Sequence, residues 1–297
     1  MALFKKKTTL VHHITYMGIM TAINLIFILL ATYVPFLMFI PVLVLPFAST
    51  IVSYYCQKRY YLIYAIASIG LCLIFNINDT IFYVVPAIIT GFAIGCLLEK
   101  RIHPFWLLLT SSIIEASLTF AFIPLIKLIS NVDIVNTFIS AFKLNEFVYK
   151  TEITYLFIYF ISLLECALTH FILLSDAKKI GIEINTCVSS FAPYIIGLEI
   201  SVILAISLSM LYAPLAFVFV AISIYFSVFC LVDLILSKKV LVYILLISLH
   251  VLAFFLFAVL YTKISAPLGL ILVTLFPLMT AITSFVKNYL LKQASNI

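Results

Sequence analysis

Ten apolar stretches, nearly all long enough to cross a lipid bilayer, take up almost the whole of this 297-residue chain. A transmembrane helix needs about 20 mostly apolar residues. Hydrophobic residues make up 66% of the chain and charged residues 9%, far from the roughly 25% charged residues of a soluble domain. The sequence therefore predicts an all-α transmembrane bundle with almost no soluble part.

The spans follow one another closely, and their number is the main open question. The third is short, so a bundle of eight or nine spans with one re-entrant segment is an open alternative to ten. The predicted spans are residues 14–34, 35–55, 60–75, 81–98, 104–125, 152–174, 190–211, 214–235, 240–262 and 267–286.

The positive charges between the spans alternate by side. With the amino terminus placed in the cytoplasm, thirteen of the 17 Lys and Arg residues fall on inner segments and four on outer segments. Positive charge resists translocation, so this bias predicts that both termini are cytoplasmic. The cations sit in pairs at helix ends and form no stripe, which argues against a nucleic-acid partner despite the net charge of +6.

Motifs of common enzymes and metal sites are absent from the sequence. It contains no GxxxxGK[ST], HExxH or GxSxG motif, and no CxxC spacing. We therefore expect no enzymatic activity, no bound metal and no cofactor. Energy for active transport would have to come from a partner protein or an ion gradient.

Two connections are long. The outer one, residues 126–151, has apolar residues at near-helical spacing, which is typical of an amphipathic helix at the membrane surface; a plain loop is the open alternative. The inner one, residues 175–186, predicts a hinge. We accordingly divide the chain into a six-span domain, residues 1–180, and a four-span domain, residues 181–297.

Small residues at four-residue intervals mark faces where helices approach closely in lipid. Ala87, Gly91 and Gly95 form such a face on the fourth span, which predicts packing inside the bundle. Gly18 and Ala22 have the same spacing on the first span.

Four ionisable side chains lie near the centres of their spans. Each would cost about 2.5–3.5 kcal/mol if it were charged and faced lipid, so they should face the interior, pair or stay neutral. Two further groups, His170 and Asp233, are expected to reach towards the inner surface. The four central residues are Glu115, Glu165, Glu199 and His250.

Hydroxyl groups share a helical face with the first two of these carboxyl groups. Three- and four-residue steps place the hydroxyls beside the carboxyl on one side of a helix. The fifth and sixth spans should therefore present polar faces to each other or to a cavity, with interhelical hydrogen bonding as the structural alternative to substrate binding. The hydroxyl residues are Ser111, Ser112 and Thr119 around Glu115, and Ser162 and Thr169 around Glu165.

Three stretches of sequence resemble the YybS-like family of bacterial membrane proteins. GIMTAINLIFILLATYVPFLMFIPVLVLPFASTIVSYY (residues 18–55) has a small-xxx-small start, a YVPF turn and a proline-rich second span. PAIITGFAIGCLLEKR (86–101) is a glycine-rich span with a charged exit, and SLLECALTHFILLSDAKKIGIEI (162–184) is similar to the family's sixth span and following loop. The resemblance implies a multi-pass protein of the bacterial cytoplasmic membrane.

The six-span half of that family resembles the S components of energy-coupling-factor transporters, which bind vitamins or metal ions. S components dock onto a transmembrane coupling subunit through an AxxxA face on the first span, and Gly18 and Ala22 stand at that place here. The resemblance implies a small-molecule substrate of unknown identity, a coupling subunit and separate ATPases as partners.

Two functions remain open. One is a substrate-binding or transport-associated membrane subunit that works with separate partners, favoured by the polar faces of the fifth and sixth spans. The alternative is a non-transporting scaffold for cell-envelope or division proteins, favoured by the four additional spans.

Overall fold

The structure is a computed structural model that describes residues 6–34, 39–141, 144–145, 149–180, 191–236, 240–260 and 266–295. Throughout these ranges the regular structure is helical, without a strand. The helices are α1 (Leu10–Tyr33), α2 (Phe39–Tyr55), α3 (Lys58–Phe75), α4 (Ile77–Asp79), α5 (Val85–Glu99), α6 (Pro104–Ser130), α7 (Ile134–Ala141), α8 (Lys150–Ile180), α9 (Ala192–Ser209), α10 (Ala213–Leu236), α11 (Val240–Leu260) and α12 (Ala266–Ser295).

Each predicted span corresponds to a helix. Among the described residues, eight helices are long and apolar enough to cross a membrane, with Ile77–Glu99 counted as one. Val44–Tyr55 in α2 and Leu272–Asn288 in α12 are shorter apolar helices. The prediction of an all-helical membrane bundle is therefore confirmed, and the orientation of the termini stays a prediction.

A π-helical turn, Thr80–Val84, joins α4 to α5. The Val85 N–H donates to the Thr80 carbonyl, five residues back instead of four. Pro86 explains the wider turn, because it has no N–H and its ring crowds the carbonyl four residues earlier. The sequence analysis did not anticipate this irregularity within the fourth span.

The outer connection contains the eight-residue helix α7. Asp133 precedes it and accepts a 3.0 Å hydrogen bond from the Asn136 N–H, and Ile139 is buried. Of the two alternatives for this connection, an amphipathic helix or a plain loop, the structure has a short helix with one apolar side. The inner connection is shorter than expected, because α8 continues to Ile180 and residues 175–180 are helical; residues 181–186 of the predicted hinge lie outside the described residues.

The helices group into two units. The first comprises residues 1–138 and 161–187, and the second comprises residues 139–160 and 188–297. Helix α8 contributes its first turns to the second unit and the remainder to the first. The proposed domains, residues 1–180 and 181–297, stay a prediction.

The core of the first unit forms where α1, α2, α3 and α5 meet, around side chains such as Tyr16, Leu45, Tyr64 and Ile94. Helices α2 and α5 approach most closely. A Cβ atom added to Gly91 would clash with Ser49 and lie 2.9 Å from the Pro46 carbonyl oxygen.

The second unit has a core of its own. Ile195, Leu198 and Val202 of α9 pack with Cys230 of α10 and Ala281 of α12. The aromatic rings of Tyr194 and Phe229 stack nearby, with centroids 4.7 Å apart. This unit therefore buries apolar surface among its own helices.

Candidate functional site

The two carboxyl groups of the fifth and sixth predicted spans are both buried in the first unit. Glu115 lies near the middle of α6 and Glu165 near the middle of α8, and their side chains are 3% and 6% exposed. They are close enough for the charge of one to act on the other. Two buried carboxyl groups can both be charged only if a cation lies near them; otherwise protonation neutralises at least one.

Other buried polar groups lie near these carboxyl groups or share a helical face with one of them. The Cys166 thiol lies within reach of both carboxyl groups and of the Ser111 hydroxyl. Tyr83, on the π-helical turn, is near enough for an electrostatic interaction with Glu165. We call the set formed by Glu115, Glu165, Ser111, Ser162, Thr169, Cys166 and Thr90 the acidic polar cluster; all seven side chains are buried.

Hydroxyl groups next to Glu115 donate to their own helix. The Ser111 hydroxyl donates to the Leu108 carbonyl over 3.1 Å, and the Thr119 hydroxyl donates to the Glu115 carbonyl over 3.0 Å. Helical Ser and Thr commonly make such bonds, which use the hydroxyl proton and leave the oxygen lone pairs available. The α6 side of the cluster is therefore rich in acceptors.

Several polar atoms of the cluster are buried without a hydrogen bond. Within the described ranges, this holds for Oε2 of Glu115 and the hydroxyls of Thr90 and Thr169. The Thr90 hydroxyl lies beside the Glu115 carboxyl, outside the geometry of a formed hydrogen bond. A buried acceptor without a donor costs about 1–3 kcal/mol, so these atoms favour a hydrogen-bonding or charged neighbour.

His170 lies one turn beyond Cys166 on α8, and its ring is 7% exposed. Neither ring nitrogen has a hydrogen-bond partner among the described residues. The expectation that this side chain reaches for the surface was wrong, because the short imidazole cannot extend past the neighbouring helices as a long flexible side chain does.

The ionisable groups of the second unit are arranged differently. Lys287 of α12 donates to the Asp233 carboxylate of α10 over 2.6 Å, and the two side chains are only 9% and 14% exposed. Asp233 is thus paired instead of reaching towards water. His250 contacts the Leu246 carbonyl over 2.8 Å and the Thr280 hydroxyl over 3.3 Å, and Glu199 is half-buried.

The small-residue faces lie in different surroundings. Gly18 and Ala22 are exposed, and a Cβ atom on Gly18 would meet nothing within 4 Å. Ala87, Gly91 and Gly95 are buried, and the two glycines adjoin α2. The face at Gly18 and Ala22 is open to contact with lipid or another helix. The face at Ala87, Gly91 and Gly95 packs inside the first unit.

A polar network that was not predicted from the sequence joins α1, α2 and α3. The Asn24 amide donates to the Tyr64 hydroxyl over 2.7 Å, and the Ser49 hydroxyl lies 3.1 Å from the same oxygen. Thr21 and Ser68 are 3.0 Å apart at their hydroxyl oxygens. Asn24 is an amide side chain near the middle of the apolar first span. That position could have indicated a buried polar contact.

Residues 22–155 match the model of a family described as "Predicted membrane protein (DUF2232)". The matched region runs from α1 into the start of α8, so it includes Glu115 and ends before Glu165. No curated protein and no solved structure matches the chain. The apolar helices and this similarity together make the chain a multi-pass integral membrane protein.

Proposed function

We propose that the first unit binds a cationic small molecule or ion at the acidic polar cluster, as the substrate-binding subunit of a membrane transport system. The observation that carries this proposal is the buried pair Glu115 and Glu165. The Ser111 and Thr119 hydroxyls near Glu115 donate to backbone carbonyls, so their oxygen lone pairs stay available as acceptors. A cation would supply the donors or the positive charge that these groups lack in the described residues.

Electrostatics favours a positive occupant over an anion or a neutral molecule. Moving a carboxylate out of water costs several kcal/mol, and a nearby opposite charge offsets much of that cost. A proton satisfies the same requirement, so proton uptake could accompany ligand release. Hard cations and protonated amines both bind to carboxylate and hydroxyl oxygens.

The proposal includes separate partner proteins. Its support is the resemblance of the amino-terminal half to S components of energy-coupling-factor transporters, together with the exposed surface at Gly18 and Ala22. Small residues allow another helix to approach closely in the membrane. A transmembrane coupling subunit, driven by separate ATPases, is the partner that this resemblance implies.

A membrane scaffold for cell-envelope or division proteins is the second candidate. The second unit favours it, because α9, α10 and α12 form a core of their own around Leu198 and Cys230, beyond the six spans of an S component. Copurification from native membranes separates the two candidates. Coupling ATPases among the retained proteins would support transport, and envelope or division proteins would support the scaffold.

The site itself is tested by Glu115→Gln and Glu165→Gln, singly and together. Gln keeps the shape and hydrogen-bonding capacity of a protonated Glu but cannot carry its charge. We expect the double variant to melt near the parent protein in detergent and to fail to complement a deletion strain.

The matched control is Glu199→Gln, which changes a half-buried carboxyl group in the second unit. It should complement fully. Full complementation by the Glu115→Gln, Glu165→Gln double variant would instead show that the two residues only make structural hydrogen bonds. That result would refute the proposed binding site.

A further inference from the structure

A second concave site lies at one end of the first unit, away from the acidic polar cluster. It is a pocket of about 440 Å³ formed by the segment before α1, the junction of α2 with α3, and the last residue of α5. We call it the basic pocket and define it by Lys6, Lys7, Lys58, Arg59, Tyr54 and Glu99. Its volume lies within the range of about 300–1,000 Å³ typical of small-molecule sites.

The segment before α1 is held in place at this pocket. The Lys7 backbone N–H donates to the Tyr55 carbonyl over 3.0 Å, which joins it to the end of α2. The Lys7 ammonium lies 4.3 Å from the centre of the Tyr16 ring, and the side chain is buried. Burial lowers the pKa of Lys7, so its positive charge would be favoured by a bound anion.

Positive charge exceeds negative charge in the pocket lining. Four cationic side chains face one carboxylate, that of Glu99. This carboxylate already binds two of them, since its oxygens lie 2.8 Å from the Lys6 ammonium and 2.9 Å from the Lys58 ammonium. The described lining residues therefore carry an excess of three positive charges.

The arrangement of positive groups in the basic pocket suits a phosphate group. Helix α3 begins at Lys58, so its positive dipole end adjoins the pocket. Arg59 is exposed there and presents a planar guanidinium, which binds phosphate oxygens with two parallel hydrogen bonds. The ends of apolar helices also lie at the depth where lipid phosphates are found.

We propose that the basic pocket binds a phosphate group that carries a small polar body, either the headgroup of an anionic phospholipid or a soluble phosphate ester. The volume exceeds that of a bare phosphate, and the Tyr54 ring supplies a wall on which an attached glycerol can pack. This site is independent of the proposed cation site, because its residues lie at the helix ends and share none with the acidic polar cluster.

The test uses the full chain purified in detergent, with two probes. One is phosphatidylglycerol against diacylglycerol, which lacks the phosphate, measured by native mass spectrometry as the fraction of protein that retains a lipid. The other is glycerol phosphate against glycerol, measured as a shift in melting temperature. Binding of phosphatidylglycerol alone assigns a lipid headgroup, and a melting shift with glycerol phosphate assigns a soluble ester.

Arg59→Gln should weaken binding of the responding probe about tenfold, since a charged hydrogen bond contributes on the order of that factor. Arg59 is exposed, so the variant should fold normally. The matched control is Lys100→Gln, which removes one exposed positive charge outside the pocket and should leave binding unchanged. The proposal is overturned if neither phosphate probe exceeds its neutral counterpart, if Arg59→Gln binds like the parent, or if Lys100→Gln weakens binding equally.

Discussion

Gly91 and Gly95 are required because no side chain fits between α5 and α2 at these positions. Their backbone angles are ordinary helical ones and do not by themselves call for glycine. A Cβ atom on Gly95 would lie 2.5 Å from the Ser53 Cβ and 3.0 Å from the Thr50 carbonyl oxygen. These neighbours belong to α2, whose backbone cannot rotate away as a flexible side chain can. In lipid, where helix association depends on close packing, such contacts hold α2 and α5 together.

We predict that Gly91→Ala lowers the stability of the protein, because the new methyl group overlaps the Pro46 carbonyl and Ser49. Overpacking of this kind costs about 1–3 kcal/mol. The apparent melting temperature in detergent measures the effect. Gly70→Ala is the control, since a Cβ atom there meets nothing within 4 Å; equal melting temperatures for the two variants would contradict the packing of α2 on α5.

The ion pair of Lys287 and Asp233 predicts strong coupling between two positions. Lys287→Met alone should destabilise the protein by about 3–5 kcal/mol, because it leaves the Asp233 carboxylate buried without its partner. Adding Asp233→Leu to this variant should recover most of the loss. Thermal unfolding of the single and double variants gives the coupling, and additive losses would show that the two side chains act separately.

At the scale of elements, the sequence predicted the helices well because the signal is local. About 20 apolar residues in a row specify a membrane helix regardless of what surrounds it. The irregularities follow from single residues as well, such as Pro86 at the π-helical turn. Those effects are local too, but several backbone geometries satisfy the same proline, so the particular turn was not predictable.

The candidate site was only partly predictable, for a physical reason. The periodicity of α6 and α8 placed hydroxyls beside Glu115 and Glu165, yet it could not tell that Ser111 donates to its own helix. Nor could it find Cys166, which joins the cluster only through the packing of α8. Pairing of Lys287 with Asp233 depends on contact between helices distant in sequence, and one sequence contains no record of that contact.

Helix α7 provides a prediction about pH. Its preceding residue, Asp133, accepts a 2.7 Å bond from the Lys127 ammonium and a 3.0 Å bond from the Asn136 N–H. These bonds lower the pKa of Asp133 below its ordinary value. A carboxyl group with a lowered folded-state pKa stabilises the fold above its unfolded pKa, and that stabilisation is lost as the pH falls through the folded value.

We therefore expect α7 to fray at acidic pH, below the ordinary pKa of an aspartate side chain, where Asp133 takes up a proton. A spin label attached at Ser140→Cys, an exposed position near the end of the helix, should become more mobile there. Asp133→Ala should give the mobile spectrum at neutral pH as well. An immobile label in that variant would mean that other contacts hold α7.

At the scale of the whole molecule, the charge bias gives a prediction that the helices alone do not. Thirteen inner cations against four outer ones predict that both termini are cytoplasmic. Fusions of a reporter active only in the cytoplasm, made at residues 9, 57, 131 and 297, should be active at the first, second and fourth positions and inactive at the third. Activity of the fusion at residue 131 would show that the orientation is opposite to the predicted one.

The order of synthesis gives the Lys287–Asp233 pair a further consequence. These residues are 54 positions apart in the chain. At roughly 5–20 residues per second, the ribosome needs roughly 3–11 s after making Asp233 before Lys287 exists. Throughout that interval α10 enters the membrane without the ammonium group that pairs with Asp233 in the folded protein, so this ion pair can form only after α12 has been made. Completion of the second unit therefore waits for the last helix to be translated.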